Sequence, residues 1–208
     1  FSEYHGHTIK LVSDAIAKGF RKIIAMGGDG TMNEVVNGIF SQEKIPVNEI
    51  TLAVIPLGTG NDWCKTYGMN EDYNKSVNTI AAEKIIQHDI GVAETSNGNK
   101  RWFINIAGMG YDGFVTQKID EIRNKGETKK RFYLLYILYF LFQYKHTKVS
   151  LKIDGKEIPA EDIFMVSVCN CRYNGDGMMQ APSAIPDDGV FNITVMKKIS
   201  ALKSIISV

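Results

Sequence analysis

The sequence predicts an α/β domain followed by a mainly antiparallel β domain. Two short apolar runs, at 21–26 and 51–55, each lead into a glycine-rich turn and then into a helical pattern. That order is typical of a parallel sheet with helices on its faces. Later in the chain, short alternating runs and the hairpin dipeptide Asp154-Gly155 indicate antiparallel strands. The predicted domains are 1–88 and 89–208.

Apolar residues at helical spacing predict three helices in the first domain. Gly19 and Gly38 are the expected ends of the first two, because glycine commonly follows the last turn of a helix. The three helices are predicted around 9–16, 34–39 and 75–86.

The second domain is predicted to consist mainly of strands. Apolar runs of strand length alternate there with turn residues, and two longer helical patterns interrupt them. Strands and hairpins are expected at 89–94, 101–108, 149–160, 164–170 and 190–197, with helices near 111–124 and 132–144.

Composition limits the classes of function. The chain has 208 residues, of which 44% are hydrophobic and 23% charged, as in ordinary soluble globular proteins. A formal net charge of +1 gives no expectation of nucleic acid as a partner. Cysteines without a paired spacing predict free, buried thiols in a reducing compartment, so we expect a cytoplasmic protein. The polar N-terminal residues give no sign of a signal peptide.

The longest apolar run, FYLLYILYFLF at 132–142, is too short for a bilayer-spanning helix, which takes about 20 residues. We therefore expect no transmembrane segment. The favoured interpretation is a core helix with charged ends. The basic residues at 129–131 and Lys145 leave a second interpretation open, a helix that lies in a membrane interface.

Two glycine-rich turns, at 27–30 and 56–62, follow the predicted parallel strands. Ligands of open α/β sheets bind at the carboxyl ends of the strands, where glycine lets backbone N–H groups approach a phosphate. The lysine-containing P-loop, G-x4-G-K-[ST], does not occur in the sequence. Asp29 and Asp62 would then contribute by holding Mg²⁺ against phosphate oxygens. An equally weighted alternative is that Asp29 only hydrogen-bonds its own turn.

Five motifs, in order along the chain, carry a resemblance to a known family. They are SEYHGHTIKL (2–11), GGDGTMNE (27–34), PLGTGND (56–62), RWFINIAGMGYDG (101–113) and NCRYNGDGMMQAPSAIPDDGVFNITVM (170–196). Together they resemble the diacylglycerol kinase catalytic domain, in the branch of bacterial soluble lipid kinases related to sphingosine kinases. GGDGT alone also occurs in NAD kinases and phosphofructokinases, so the specificity of the match lies in PLGTGND and in the region around Asp-Asp-Gly.

The resemblance implies a Rossmann-like N-terminal α/β domain, of the NAD kinase and diacylglycerol kinase type, that binds ATP. It also implies a C-terminal domain that is antiparallel and β-sandwich-like. Asp29 and Asp62 would belong to a Mg²⁺-linked acidic network at the catalytic centre. The residues that would contact the nucleotide are Ser2, Gly28, Asp29, Gly30, Thr31, Met32, Asn33, Glu34 and Thr59.

The same resemblance implies a structural Mg²⁺ in the turn AIPDDGV, 184–190. Its ligands would be the Asp188 carboxylate and the main-chain carbonyls of Ile185 and Val190. Oxygen ligands on a rigid turn suit Mg²⁺. An ordinary Asp-Gly turn between strands is the alternative.

The implied activity is the ATP- and Mg²⁺-dependent phosphorylation of a lipid hydroxyl, on a diacylglycerol-like acceptor at a membrane surface. The family's Asp-Gly-Glu general base and its first phosphate-binding strand have no match in the sequence, so we expect residues to be missing at both ends. A NAD kinase-like phosphotransferase and an inactive lipid- or nucleotide-binding module are the alternatives. The expected partners are nucleotide, membrane lipid and, as one option, a second copy of the chain in a homodimer.

Overall fold

A computed structural model describes residues 1–69, 73–124 and 133–198. Within those ranges the chain forms two compact units. The first contains residues 1–107 and 169–192, and the second contains residues 108–168 and 193–198. The predicted change of domain near residue 88 stays a prediction, because the units are defined by contacts and the first takes in two separate segments.

The helices and strands have the following bounds. The helices are α1 (His7–Ala17), α2 (Asp29–Ser41), α3 (Asp62–Thr66), α4 (Tyr73–Ala81), α5 (Tyr111–Asn124) and α6 (Tyr133–Gln143), with a 3₁₀ turn at Val47–Glu49. The strands are β1 (Lys22–Gly27), β2 (Thr51–Pro56), β3 (Gly91–Glu94), β4 (Lys100–Phe103), β5 (Ile106–Gly110), β6 (Thr147–Ile153), β7 (Lys156–Cys169), β8 (Tyr173–Asn174), β9 (Met178–Met179) and β10 (Asn192–Lys197). None of the helices in the described ranges has the length and apolar character that crossing a membrane requires.

The first unit is built around β1 and β2, which pair in parallel. Lys22 lies opposite Thr51 and Gly27 lies opposite Pro56, so both strands end at the same edge. The two glycine-rich loops leave the strands at that edge, as predicted. Helices α1 and α2 pack with the strands in one core, whose buried members include Val12, Ile16, Ala25, Met32, Val35, Val36, Ile39 and Val54.

Helix α2 is longer than predicted. It begins at Asp29 rather than Glu34 and continues past Gly38 to Ser41. The glycines led to the shorter prediction, because glycine has a low helix propensity. Gly38 remains helical because α1 lies directly against it: a Cβ at this position would be 2.7 Å from the Ile9 carbonyl oxygen. This glycine therefore permits close helix packing and does not end the helix.

Other boundaries agree with the sequence to different degrees. Gly19 follows the last turn of α1 with a φ of 99°, as predicted for a glycine at that place. Helix α4 ends at Ala81 rather than near residue 86, and Glu83 has a φ of 49°, outside the helical region. Helix α3 was not predicted, since its 5 residues are too few for a periodic signal.

The second unit contains α5, α6, β6 and most of β5, β7 and β10. Strand β7 pairs with β5 and β10, and it also forms an antiparallel hairpin with β6. The hairpin turn uses Asp154 and Gly155 in left-handed conformations, with φ of 47° and 80°, which confirms the predicted turn. The core of this unit is aromatic and aliphatic, with Tyr111, Val115, Ile119, Phe140, Phe164 and Met165 buried.

Helix α6 has two different apolar faces. Phe140 is 4% exposed and packs in the core, as expected for a core helix. Leu135, Tyr139 and Phe142, however, are 57%, 58% and 67% exposed. The prediction of a buried core helix is therefore correct for one face only. The basic residues 129–131 lie outside the described residues.

Candidate active site

The two glycine-rich loops contact each other backbone to backbone. The N–H of Leu57 donates to the Gly27 carbonyl oxygen over 2.9 Å. A Cβ on Gly58 would lie 2.4 Å from the Gly28 Cα, and a Cβ on Gly28 would lie 2.8 Å from the Gly58 Cα. Both positions therefore require glycine, and the close neighbour that requires it is the other loop.

Asn61 closes the second loop on itself. Its Oδ1 accepts from the Gly58 N–H over 3.0 Å, and its Nδ2 donates to the Gly58 carbonyl over 2.9 Å. Asn61 is buried and has a left-handed φ of 49°, a conformation that asparagine tolerates better than most residues. The amide side chain thus fixes the turn from which α3 begins.

The Asp29 carboxylate connects the first loop to the start of α3. Its Oδ2 accepts from the Asp62 N–H and its Oδ1 from the Trp63 N–H, each over 3.1 Å. These are two of the N–H groups that have no partner within a helix of their own. Asp29 therefore caps a neighbouring helix, and these two hydrogen bonds do not go to its own turn.

Asp62 connects α3 to a third loop, after β8. The buried carboxylate accepts from the Gly177 N–H over 2.7 Å and from the Asp176 N–H over 3.0 Å. Lys65 contributes a third donor, with its Nζ 3.2 Å from Asp62 Oδ1 and 3.7 Å from Asp176 Oδ1. The sequence analysis did not single out Lys65 or the loop at 176–177, because nothing local predicts a partner so distant along the chain.

The two carboxylates lie around one point, beside Gly60. A Cβ at Gly60 would be 3.2 Å from Asp29 Oδ2 and 3.4 Å from Asp62 Oδ2. Within the described ranges, no group of three or more histidine, cysteine, aspartate or glutamate residues could hold a metal ion alone. Mg²⁺ is commonly held by one or two carboxylates together with water and substrate phosphates, so this donor pair fits Mg²⁺ when nucleotide is bound.

The start of α2 offers backbone donors next to these carboxylates. Gly28 is the N-cap residue, and among the residues that the structure describes no side chain caps the helix there. The N–H groups of the first turn of a helix lack intrahelical partners and attract anions. Gly30 is exposed, and a Cβ added to it would meet no atom within 4 Å. The exposed Thr59 belongs to the adjacent loop.

The other residues predicted to contact nucleotide have varied surroundings. The Met32 side chain lies in the core, and Asn33 Oδ1 accepts from Arg101 Nη2 over 3.0 Å. Ser2 is exposed before α1, whereas Thr31 is half-buried with its side chain against Gly27.

Glu34 ties α2 to the start of α1. Its Oε1 accepts from the Gly6 N–H over 2.8 Å and lies 3.2 Å from His5 Nδ1. Burial alone would raise the pKa of Glu34. The hydrogen bonds from Gly6 and Thr8 and the nearby His5 outweigh that effect and hold the pKa below its ordinary value. Glu34 is therefore a carboxylate that positions the N-terminal residues.

Hydrogen bonds fix the conformation of the turn AIPDDGV, residues 184–190. Asp188 Oδ1 accepts from the Val190 N–H over 2.9 Å, and Gly189 has a φ of 73°. Asp89 clamps the turn at two points, because its Oδ2 accepts from the Gly189 N–H and its N–H donates to the Pro186 carbonyl, both over 2.7 Å. The predicted ligands Ile185, Asp188 and Val190 thus share one turn, and metal binding there stays a prediction.

His88 joins α3 to Asp89. The Trp63 Nε1–H donates to His88 Nε2 over 2.9 Å, so the ring proton is on Nδ1, which donates to the Asp89 carbonyl over 2.6 Å. Burial lowers the pKa of His88, although the Asp89 carbonyl and the charges of Asp89 and Asp187 act in the opposite direction. The sequence analysis missed this residue, since an isolated histidine belongs to no motif.

The three cysteines are free and buried, as predicted. Burial raises the pKa of the Cys64 thiol to about 11 and that of the Cys171 thiol to about 12. The Cys64 and Cys171 thiols are therefore protonated at neutral pH, which is the less nucleophilic form of a cysteine.

Two family models match the chain, one after the other. Residues 1–93 match the diacylglycerol kinase catalytic domain, and residues 105–207 match the YegS C-terminal NAD kinase beta sandwich-like domain. The chain belongs to the diacylglycerol kinase family. The predicted family is thereby confirmed, as is a fold in which an α/β domain is followed by a β-sandwich-like domain.

Curated relatives and solved structures agree with the family. The chain is 33% identical over 197 residues to "Diacylglycerol kinase" of Bacillus subtilis, covering 93% of this chain and 60% of the relative. It is 30% identical over 196 residues to "Probable lipid kinase YegS-like" of Shewanella frigidimarina, covering 92% and 60%. The crystal structure of a diacylglycerol kinase from Bacillus anthracis superposes with a TM-score of 0.68 at 26% identity, covering 98% of this chain and 63% of that one. The chain thus spans about 60% of the length of the curated relatives it matches.

Proposed function

We propose that this chain forms the nucleotide-binding part of a lipid kinase that transfers the γ-phosphoryl group of ATP to the hydroxyl of a diacylglycerol-like lipid. The observation that carries the proposal is the junction of the two glycine-rich loops. There the uncapped start of α2 adjoins the carboxylates of Asp29 and Asp62. The names of the relatives, diacylglycerol kinase and lipid kinase, support a lipid acceptor.

Backbone donors would bind the phosphates of ATP. The N–H groups at the start of α2 carry a partial positive charge, and no side chain in the described part of the chain caps them. The exposed Gly30 leaves room above them, and the exposed Thr59 adds a hydroxyl from the second loop. These groups position the phosphates without the lysine of a P-loop.

Asp29 and Asp62 would hold Mg²⁺. Each carboxylate oxygen near Gly60 accepts one N–H bond and has a second lone pair for a metal ion or its water. When bound, Mg²⁺ neutralises charge on the phosphate oxygens during phosphoryl transfer. The protein's part is to hold both carboxylates in place, and the backbone donors do that. We also propose that Asp188, with the carbonyls of Ile185 and Val190, binds a structural Mg²⁺.

The test is a kinase assay on the complete protein, with Mg²⁺, γ-labelled ATP and a panel of lipids in mixed micelles. Diacylglycerol should be labelled, and Asp29→Asn should lower the rate at least about 100-fold, the loss typical when charge stabilisation is removed from a catalytic centre. Asp14→Asn is the matched control, since Asp14 is exposed on α1. Thermal unfolding of each variant separates lost chemistry from lost folding, because Asp29 also caps α3.

The same assay with NAD as the acceptor distinguishes the lipid kinase from the two alternative functions. Labelled NADP formed from NAD, with no labelled lipid, would favour a NAD kinase-like enzyme and contradict a lipid acceptor. Binding of ATP without turnover of any lipid or NAD would favour a module without catalysis.

A further inference from the structure

Helix α6 has an apolar stripe on its exposed side. Leu135, Tyr139 and Phe142 follow one another at intervals of four and three residues, so their side chains share one helix face. They are 57%, 58% and 67% exposed. Contiguous exposed apolar groups of this size mark interaction surfaces, whereas single ones need no explanation.

The side chains that attach α6 to the core of the second unit are not those of the stripe. Phe140 is buried, and Tyr136, Leu141 and Tyr144 pack against the same aromatic core. Phe140 also meets Phe114 of α5 edge to face, with ring centroids 6.1 Å apart. One side of α6 thus already attaches the helix to its unit, and the sequence YLLYILYFLFQ contains no charged residue that would make the other side polar.

Basic residues follow α6 in the chain. Lys145 is exposed two residues after the helix, and Lys148 and Lys152 are exposed on β6. Among the described residues, these three lysines form no salt bridge. The sequence also places Lys129, Lys130 and Arg131 shortly before the helix. A helix with an exposed apolar stripe, preceded and followed in the chain by basic residues, has the pattern of a helix that lies in the interface of an anionic bilayer.

We propose that α6 docks this protein on the surface of anionic lipid bilayers, with Leu135, Tyr139 and Phe142 inserted at the level of the head groups. Tyr139 suits that depth, since it has an apolar ring and a polar hydroxyl. Lys145 and Lys148 would lie among the lipid phosphates. The proposal rests on the proposed function, because a kinase whose acceptor is a membrane lipid must reach the bilayer.

Vesicle sedimentation of the complete protein, without nucleotide, tests the docking directly. Vesicles of phosphatidylcholine with about one-third phosphatidylglycerol should sediment the wild type. The double substitution Leu135→Gln with Phe142→Gln should weaken binding at least about tenfold, because it removes the apolar contact. Phe142→Leu should retain binding. Ile85→Gln is the matched control, since Ile85 is 63% exposed and belongs to the first unit.

The charges are tested separately. Lys145→Glu with Lys148→Glu should weaken binding to these vesicles by at least about tenfold, with a smaller effect at high salt, since each basic residue near an anionic surface contributes about fivefold. Equal binding of the glutamine variant and the wild type, or no binding of the wild type, would overturn the proposal. So would a large drop in melting temperature of the glutamine variant, or its conversion from a dimer to a monomer, because either result would mean that protein covers the stripe.

An activity measurement distinguishes this inference from the proposed function. The glutamine variant should phosphorylate a short-chain diacylglycerol in detergent at the wild-type rate and lose at least about tenfold of its rate on vesicles. Loss of both rates with normal folding would contradict a docking role. If the wild type binds vesicles through α6 but phosphorylates no lipid, the proposed function fails and the docking surface stands.

Discussion

Gly58 is the residue at which the two glycine-rich loops are most tightly restricted. Its missing side chain leaves the space that the Gly28 Cα occupies, 2.4 Å from where a Cβ would lie. The neighbour is backbone, so it cannot move aside as a flexible side chain could. The two loops can therefore approach this closely only because Gly58 has a hydrogen atom where other residues have a Cβ.

We predict that Gly58→Ala lowers the free energy of unfolding by about 2–3 kcal/mol, the usual cost of overpacking where the backbone must shift. Urea denaturation of the purified protein measures it. Gly30→Ala is the control, because a Cβ there meets nothing and alanine favours a helix, so stability should stay equal or rise by up to about 1 kcal/mol. Equal effects of the two substitutions would contradict the backbone contact between the loops.

His88 makes stability depend on pH. Burial depresses its pKa in the folded protein, so the unfolded chain takes up the proton first as the pH falls. We predict that the free energy of unfolding has its full His88 contribution above about pH 6.5, the ordinary histidine pKa, and that it declines as the pH falls below this value. His88→Gln should flatten the slope between about pH 6.5 and 5 in urea denaturation series, whereas His7→Gln should preserve it. A slope unaffected by His88→Gln would assign the effect to another group.

At the scale of elements, α2 shows what local pattern could and could not predict. Its apolar face was visible in the sequence, but glycines at both ends made it look shorter. The first glycines lie in the loop where α2 begins, and Gly38 lies where α1 passes close by. Helix propensity describes only the local backbone, whereas the glycines at both ends of α2 are explained by contacts with other segments of the chain.

Helix propensity and helix packing predict opposite effects of an alanine substitution at Gly38 in α2. Propensity alone predicts that Gly38→Ala stabilises the helix by about 1 kcal/mol. The contact with the Ile9 carbonyl, 2.7 Å from the added Cβ, predicts a net loss of about 1–3 kcal/mol. Thermal or urea unfolding gives the sign, with Ala15→Gly on the facing helix as a reference for propensity. A stabilised Gly38→Ala variant would contradict the packing of α1 on α2.

At the scale of the whole molecule, the sequence predicted the strands and loops of the first unit better than the contacts between distant residues. The paired strands, their common edge and the two loops followed from apolar runs and glycines. The contacts of Asp62 with 176–177, and the path from Trp63 through His88 to Asp89, join residues far apart in the chain. Such pairs leave no periodic signal, so neither Lys65 nor His88 could be found before the fold was known.

Metal binding should raise the stability of the whole folded protein. If the AIPDDGV turn binds Mg²⁺, a concentration 100 times the dissociation constant stabilises the folded state by about 2.7 kcal/mol. We predict that adding Mg²⁺ without nucleotide raises the melting temperature, that EDTA reverses the rise, and that Asp188→Asn abolishes it. Asp14→Asn should retain it. A rise that persists in Asp188→Asn would place the ion elsewhere.

The long connection made by Asp62 has a consequence for biosynthesis. The Asp176 N–H that donates to its buried carboxylate lies 114 residues further along the chain. A ribosome adds about 5–20 residues per second, so this partner emerges roughly 6–23 seconds after Asp62. During that interval the carboxylate lacks two of its backbone donors. The two glycine-rich loops should therefore reach their final geometry only late in translation, after residues 108–168 of the second unit have been made.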